Sequence, residues 1–305
     1  MKTRRSGLTV IEILVVVGII AILVGLLLPA VHTVQKMAKE TKQKAQFTAI
    51  ELGLAAFKSD YGDYPSSFWF DPSAINGGLQ TYCGAQRLAE AMVGWDLLGF
   101  HPDSAWRADG LAAGTNNVGI PNTVYKAPDT LDKRRGRYVE LDVANPFLLG
   151  GGADALFPGL VTPLEPRTYV LCDVFTRTER KVQQLGGKMV TAGTPILYYR
   201  ANPANLLHDP PASDRTSACI YDARDNAMLV RQRRLGDADK ALDLRRQHPL
   251  EPDVLLPGFE HFYNYICDTR IQTRRWPVRP DSYLLISAGM DGLYGTDDDI
   301  RNFGN

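Results

Sequence analysis

Glu12 is the first residue whose position implies chemistry, because it is the only charged side chain between Leu8 and Leu28. An apolar run of ~21 residues forms a helix of ~31 Å, which is long enough to cross the hydrocarbon core of a bilayer. An acid at the centre of such a span costs ~2.5–3.5 kcal/mol, whereas each Leu, Ile, Val or Phe favours insertion by ~0.3–0.6 kcal/mol. The segment should therefore insert, and an ionisable residue inside a membrane predicts a functional role.

A second group of acidic residues lies near the C-terminus, in residues 287–300. Calcium takes ~6–8 oxygen ligands from carboxylates, carbonyls and water, so aspartates on a tightly turning loop could form an oxygen cage. The spacing is neither that of an EF-hand nor that of a repeated β-helix motif. Composition alone leaves a solvated acidic turn as the alternative. The segment combines Asp291, Asp297, Asp298 and Asp299 with Gly289, Gly292 and Gly295.

The elements around Glu12 predict a membrane topology. Three basic residues, Lys2, Arg4 and Arg5, precede the apolar run. The positive-inside rule then predicts that a leader of residues 1–7 is cytoplasmic and that the remainder lies on the other side of the membrane. An ordinary signal peptide or signal anchor remains an alternative, although residues 29–32 (PAVH) give only a weak cleavage site.

Two consecutive halves of one helix are predicted, with residues 8–29 spanning the membrane and residues 30–60 forming an amphipathic stem. Gly62 and Pro65 are helix-stop signals that end the stem. The stem sequence predicts a stripe of apolar residues at helical spacing that would pack against a globular head. These residues are Val34, Met37, Ala38, Ala45, Ala49, Leu52, Ala56 and Phe57.

Residues 61–305 are predicted to form one head, with a long insertion at about 66–281. Together with the N-terminal helix, this predicts an α+β fold in which a long helix packs on an antiparallel-sheet head. Strands are expected at residues 168–175, 194–199 and 282–286, and short helices at residues 87–98 and 237–246.

Composition argues against two broad functions. The formal net charge is zero, which gives no reason to expect nucleic-acid binding. The five histidines have no metal-ligand spacing and no nucleophile motif is present, so we expect no enzymatic activity. The cysteines would lie outside the cytoplasm, where disulfides persist, and both disulfides and buried thiols stay open. They are Cys83, Cys172, Cys219 and Cys267.

Residues 7–13 (GLTVIEI) resemble the processing motif of type IV pilins and type II secretion pseudopilins. In that family a prepilin peptidase cuts after the glycine and methylates the new N-terminus. The resemblance implies a cut between Gly7 and Leu8, which makes Glu12 the fifth mature residue and Pro29 the twenty-second, where the family usually has a proline. Leu8 replaces the usual Phe or Met. Residues 61–65 (YGDYP) also resemble the end of this helix in the major pseudopilin.

The same resemblance suggests assembly roles for two residues. Cleavage creates an ammonium group at Leu8, and Glu12 of a neighbouring subunit could neutralise it, so that each buried charge offsets the other. Glu12 would then set the stagger of a filament. Pro29 cannot donate a backbone hydrogen bond, so it should kink the helix, with a simple end of the membrane helix as the alternative.

The C-terminal segment resembles the calcium loop of major pseudopilins. This resemblance implies a mixture of side-chain and backbone ligands for calcium, with Asp297 in a weaker, indirect role. The implied ligands are the carboxylates of Asp291, Asp298 and Asp299 and the carbonyls of Ala288 and Leu293.

The function implied by the resemblance is that of a structural subunit of a type II secretion filament. The chain would cross the inner membrane once, with its head in the periplasm. It would assemble with itself and with other pseudopilins through an inner-membrane platform. The alternatives are a type IV pilin of an extracellular fibre and a membrane-anchored protein whose long middle binds a ligand.

Overall fold

The computed structural model divides the chain into two compact units, residues 1–42 and residues 43–305. It describes residues 9–68, 82–104, 106, 110, 124–125, 128–150, 155–157, 168–176, 181–183, 187–210, 218–232, 247–250 and 259–304.

Helix α1, Val10–Tyr61, is the longest element and runs from the first unit into the second. Pro29 lies inside it, so the alternative that this proline ends the helix is wrong. The helix ends at Tyr61, as the stop signals predict, because Gly62 adopts a φ of 85°. This left-handed conformation is one that glycine adopts readily, and the Gly62 amide closes the last turn on the Lys58 carbonyl at 2.8 Å.

The part of α1 that lies in the second unit buries one face, but the predicted apolar stripe matches it only at Phe57, which is buried, and Ala49, which is partly buried. Leu52 is 68% exposed, and Ala45 and Ala56 are also exposed. The buried face is centred on Phe47, Ile50 and Leu54, which the predicted stripe did not contain, and it also includes two glutamines and a glycine. The buried residues are Gln43, Gln46, Phe47, Ile50, Gly53, Leu54 and Phe57.

The head combines short helices with antiparallel strands, which confirms the predicted α+β class. Strands β1 and β2 form one hairpin-like pair, β3 and β4 another, and β5, β6 and β7 a three-stranded sheet in that order. The strands are β1 (Pro146–Leu148), β2 (Tyr169–Leu171), β3 (Lys181–Gln183), β4 (Met189–Thr191), β5 (Leu197–Arg200), β6 (Tyr283–Ser287) and β7 (Ile300–Arg301). The helices after α1 are α2 (Gly84–Val93), α3 (Leu141–Ala144), α4 (Ala227–Val230) and α5 (Glu260–Tyr265).

The three-stranded sheet separates two hydrophobic cores, because successive side chains on a strand point to opposite faces. On one face, Tyr198 and Leu285 pack in the core that contains the buried face of α1 and helix α2. On the other face, Tyr199 and Leu284 pack in the core that contains helix α5. Strand β6 is therefore buried along its whole length, which explains its continuous apolar sequence.

The elements predicted in the middle of the chain are found in part. Strands β2, β5 and β6 lie at or beside the three predicted segments, but β2 is much shorter than residues 168–175. Helix α2 starts earlier than residue 87 and ends at Val93, because Gly94 follows with a φ of 90°. The predicted helix at residues 237–246 lies outside the described residues.

The cysteine alternatives are resolved in favour of thiols. All four cysteines belong to the described residues, and no two of them form a disulfide. Cys83 and Cys172 are fully buried, and burial in apolar surroundings raises the pKa of both thiols, that of Cys83 to about 12.

Candidate functional site

The first half of α1 exposes apolar side chains on every face. Between Val10 and Leu28 the large apolar residues are 45–82% exposed. Leaving such surface in water is unfavourable by ~25 cal/mol per Å². By length and composition this helix can cross a membrane. An apolar N-terminal helix of this kind fits membrane anchoring.

Glu12 caps the start of its own helix. Its Oε2 atom accepts hydrogen bonds from the Thr9 amide and the Thr9 hydroxyl, both at 2.8 Å. The Glu12 amide in turn faces the Thr9 hydroxyl at 3.4 Å. This is a capping box, in which a Thr and a Glu three residues apart satisfy backbone amides that the first turn leaves unpaired. The Thr-x-x-Glu spacing is typical of a capping box, so this role of Glu12 could have been predicted from the sequence.

The other predicted N-terminal positions fall on either side of this cap. The cleavage positions Gly7 and Leu8 lie outside the described residues. Pro29 lies within α1, and its carbonyl accepts a hydrogen bond from the Thr33 hydroxyl at 3.0 Å. The helix therefore continues past a residue that cannot donate a backbone hydrogen bond.

The C-terminal acidic loop, residues 288–299, is held at both ends by the central sheet. Strand β6 leads into it and strand β7 follows it, and the register pairs Ser287 with Ile300 and Ile286 with Arg301. The two strands are antiparallel neighbours, so the loop begins and ends at adjacent points on one sheet edge. This arrangement brings all of the predicted calcium ligands into one closed loop.

Each of the three predicted carboxylates accepts hydrogen bonds inside the loop. Asp291 Oδ1 accepts from the Leu293 amide at 2.7 Å, and Asp298 Oδ2 accepts from the Asp291 amide at 3.0 Å. Asp299 Oδ2 accepts from the Gly295 amide at 2.7 Å. These bonds fold the loop around its own acidic side chains.

Two residues that the sequence analysis did not select also hold these carboxylates. The Thr296 hydroxyl donates to Asp298 Oδ1 at 2.6 Å. The Tyr265 hydroxyl, on helix α5, donates to Asp299 Oδ2. Thr296 was visible in the loop sequence, whereas Tyr265 lies 34 residues away and no sequence signal connects it to the loop.

Gly289 allows the loop to close. Its φ is 57°, and a Cβ atom at this position would lie 2.2 Å from the carbonyl oxygen of Asp298. A side chain here would be both conformationally strained and sterically excluded. The glycine therefore permits the start of the loop to approach the carboxylate-bearing end.

The carboxylates differ in their affinity for protons. Burial, together with the negative charges of Asp298 and Asp291, raises the pKa of Asp299 to about 7, although hydrogen bonds from Tyr265 and Gly295 oppose the rise. Burial and the charge of Asp298 also raise the pKa of Asp291. Burial alone would raise the pKa of Asp298, but hydrogen bonds from Thr296 and from the Asp291 amide lower it. The loop thus concentrates negative charge that lacks full compensation.

The donor set fits calcium in kind, since every predicted ligand atom is an oxygen. Asp299 Oδ1 is buried and has no hydrogen-bond partner within the described parts of the chain. The Ala288 carbonyl accepts one bond, from the Gly292 amide at 3.0 Å, which leaves it a second lone pair. The Leu293 carbonyl lies 3.2 Å from the Thr296 hydroxyl, but that hydroxyl has one proton and makes its shorter bond, of 2.6 Å, to Asp298 Oδ1. In the ranges that the structure describes, however, no group of three or more His, Cys, Asp or Glu side chains is arranged to hold a metal ion.

Comparison with known proteins gives matches to part of the chain. A stretch of 66 residues, 22% of the chain, is 41% identical to the type II secretion system core protein G of Pseudomonas aeruginosa. A stretch of the same length is 33% identical to the protein of the same name from Aeromonas hydrophila. Each match covers 46% of the relative, so the chain spans about half the length of the curated relatives it matches. No family model and no solved structure matches the chain.

Proposed function

We propose, because the matched stretch confirms the resemblance to the pseudopilin family, that this chain is a structural subunit of a type II secretion filament. The observation that carries the proposal is helix α1, which exposes apolar side chains on all faces in its first half and buries one face in the head in its second. Such a helix can sit in the membrane and later pack against copies of itself. The role is structural and requires no catalysis.

In this proposal the chain waits in the inner membrane with its head in the periplasm and its leader in the cytoplasm. A prepilin peptidase cuts between Gly7 and Leu8 and methylates the new N-terminus. The mature subunit then joins other pseudopilins through an inner-membrane assembly platform. The positive-inside pattern of Lys2, Arg4 and Arg5 supports this orientation.

In this proposal Glu12 has two roles, one in the capping box of its own helix and one in contact with a neighbouring subunit. Within one chain its carboxylate is held by Thr9. In a filament the same carboxylate would neutralise the Leu8 ammonium of a neighbour, since either charge alone is costly in an apolar environment. Assembly would therefore exchange or share a bond that already orients the Glu12 side chain.

Mass spectrometry of the N-terminal peptide, from cells that carry the secretion machinery, tests the processing step. We expect the wild-type chain to give an N-methylated peptide that starts at Leu8. The Gly7→Val variant should remain uncleaved, so that its N-terminal peptide starts at Met1 or, after removal of the initiator methionine, at Lys2. Ser6→Ala serves as the matched control and should be cleaved normally. A wild-type chain that retains residues 1–7 would contradict the proposal and favour a membrane-anchored ligand-binding protein.

Chemical cross-linking in isolated membranes tests assembly. Wild-type chain should give a ladder of multimers, and Glu12→Ala should lose the ladder. Glu40→Ala removes an equal charge from the same helix, where Glu40 faces Lys36 at 3.8 Å, and should leave the ladder intact. Equal ladders in both variants would remove the proposed role of Glu12.

Immunogold labelling separates the secretion filament from the second candidate, a type IV pilin of a surface fibre. Label confined to the cell envelope, visible after permeabilisation, is expected for a secretion filament. Label along extracellular fibres would contradict the secretion filament and identify the chain as a surface pilin.

Calcium is proposed as the ligand of the C-terminal loop, supported by the oxygen donors and the unpartnered Asp299 Oδ1. Ligand binding to the folded state stabilises it by ~2.7 kcal/mol at ~100 times Kd. Calcium should therefore raise the Tm of the full chain in non-ionic detergent, and chelator should lower it. Asp298→Asn should abolish this response, whereas Asp297→Asn, which removes the same charge from an exposed position, should retain most of it. A Tm that does not respond to calcium in the wild type would end the proposal.

A further inference from the structure

A cleft of about 670 Å³ opens beside helix α5 and strand β7. It shares one residue, Tyr265, with the hydrogen bonds of the acidic loop, since the Tyr265 hydroxyl donates to Asp299. Its size lies within the ~300–1,000 Å³ that is typical of small-molecule sites. The side chains that matter for its chemistry are Tyr265, Asp268, Arg270, Arg279, Arg301 and Phe303.

The lining of this cleft is positively charged, with three guanidinium groups and one carboxylate. The carboxylate, Asp268, is already engaged by Arg270 through two hydrogen bonds of 2.8 Å. Arg279 lies 3.2 Å from Glu51 and donates to the Asn302 carbonyl at 2.8 Å. Two of the three cations are therefore compensated inside the head.

Arg301 is the cation that remains. It forms no ion pair with any residue that the structure describes, and it is only half-exposed. Its guanidinium carbon lies 4.9 Å from the centre of the Tyr265 ring and 5.4 Å from that of Phe303. Cation–π contacts of this kind hold the group in place without neutralising its charge. Its backbone is fixed as well, since Arg301 pairs with Ile286 in the central sheet.

We propose that this cleft binds a small ligand carrying a carboxylate or phosphate group, with Arg301 as the main contact. A guanidinium offers five N–H donors in a planar fork that matches two oxygens of either anion. A cation is disfavoured by the excess of arginines, and a neutral ligand would leave Arg301 uncompensated. The proposal does not depend on the role in secretion.

Isothermal titration calorimetry of the full chain in non-ionic detergent, at constant ionic strength, tests this site. The probes are inorganic phosphate, galacturonate and, as the neutral counterpart of galacturonate, galactose. We expect saturable binding of at least one of the two anions and none of galactose. Binding of phosphate alone identifies a phosphate-bearing ligand, and binding of galacturonate alone a carboxylate-bearing one. Failure of both anions, or equal binding of galactose and galacturonate, would overturn the proposal.

Arg301→Met is the test variant, because its unbranched side chain keeps the packing on Tyr265 and Phe303 but has no charge. It should weaken anion binding by about tenfold or more, as expected for loss of a bidentate charged contact. Arg274→Met is the matched control, since Arg274 also lies over an aromatic ring, that of Trp276 at 3.7 Å, but outside the cleft. Equal weakening in both variants, or none in Arg301→Met, would contradict the site. The comparison of galactose with galacturonate on wild-type protein stays decisive if Arg301→Met does not fold.

Discussion

The two halves of helix α1 are both rich in apolar residues, but they place them differently. Between Val10 and Leu28 the large apolar side chains are exposed all around the helix. Between Gln43 and Phe57 one face is buried in the head, with Ile50 and Leu54 fully inaccessible. A helix that is apolar on every side requires a surrounding apolar phase, whereas one with a single buried face requires only a partner. One continuous helix thus has a first half suited to an apolar surrounding and a second half suited to packing on a protein core.

The polar residues of the two halves show the same contrast. Glu12 is satisfied locally, by Thr9 in the same turn. Gln46 is satisfied by the head, since its side-chain amide donates to the Val143 carbonyl at 2.7 Å and to the Cys172 carbonyl at 3.0 Å. Within the described part of one chain, Glu12 is thus bonded inside its own helix, whereas Gln46 bonds the head and helps to dock the helix on it.

The largest effect should come from breaking the buried face. Leu54→Ala removes a fully buried side chain from the core between α1 and α2, and such substitutions cost ~2–5 kcal/mol through lost burial and the remaining cavity. Urea unfolding of the full chain in detergent, followed through a head-specific signal, measures the loss.

Leu52→Ala is the matched control for this substitution. Leu52 is 68% exposed and lies half a turn away on the same helix, so its loss should change the free energy of unfolding by less than ~0.5 kcal/mol. If the two variants were equally stable, the assignment of the buried face would be wrong.

A smaller effect is expected at Gln46. Gln46→Leu keeps the side chain's bulk but removes the donor to the part-buried Val143 carbonyl, which should cost roughly 1–2 kcal/mol. The Cys172 carbonyl keeps a second donor, the side-chain amide of Asn145 at 3.2 Å. The cost is moderated because Gln46 Oε1 itself has no partner among the described residues. Gln35→Leu, on the exposed side of the first unit, is the control and should not change head stability. A Gln46→Leu variant as stable as wild type would show that the docking is purely apolar.

These contrasts show what could be predicted from sequence. The long helix, its end near Gly62 and strand β6 were all predictable, since each depends on local apolar pattern or on a glycine with a positive φ. The acidic loop was located by composition, and its closure between two neighbouring strands agrees with that location.

What could not be predicted depends on contacts between distant residues. The burial of Gln43 and Gln46 could not be predicted because both are polar, and only the head amide and carbonyl they meet explain it. Phe47, Ile50 and Leu54, by contrast, form an apolar stripe on the same face that could have been predicted from their helical spacing. Tyr265 was missed at the acidic loop because its hydroxyl reaches Asp299 through tertiary packing. Apolar periodicity is informative about a helix, but it does not record which polar groups will find partners.

The Thr9 cap should contribute less and act only at the start of α1. Thr9→Val removes the hydroxyl that bonds Glu12 Oε2, and loss of an N-cap costs ~1 kcal/mol, concentrated in the first turn. Hydrogen exchange of the first-turn amides, measured in detergent micelles, should speed up accordingly. Thr41→Val removes a similar hydroxyl, bonded to the Met37 carbonyl at 2.8 Å, from the helix interior and should leave those amides unchanged. Unchanged exchange in Thr9→Val would mean that Glu12 is not held by Thr9.

The smallest effect concerns pH and should appear in the head. Burial lowers the pKa of His208, whose Nε2 atom lies 2.8 Å from the Tyr263 carbonyl. The hydrogen bond to the Tyr263 carbonyl and the nearby carboxylate of Asp209 oppose this decrease in pKa, and Arg275 reinforces it. At His208 the unfolded chain therefore takes up a proton first as pH falls below ~6.5, so the contribution of His208 to stability is complete above that pH and decreases below it. The urea midpoint of wild type should therefore fall relative to that of His208→Asn between about pH 7 and pH 5. Asp299, whose pKa is raised to about 7, contributes the opposite pH dependence to both proteins and cancels in this comparison. His261→Asn, at an exposed position of helix α5, is the control and should follow the wild-type curve. If His208→Asn showed the same pH dependence as wild type, buried His208 would not contribute to the pH dependence of head stability.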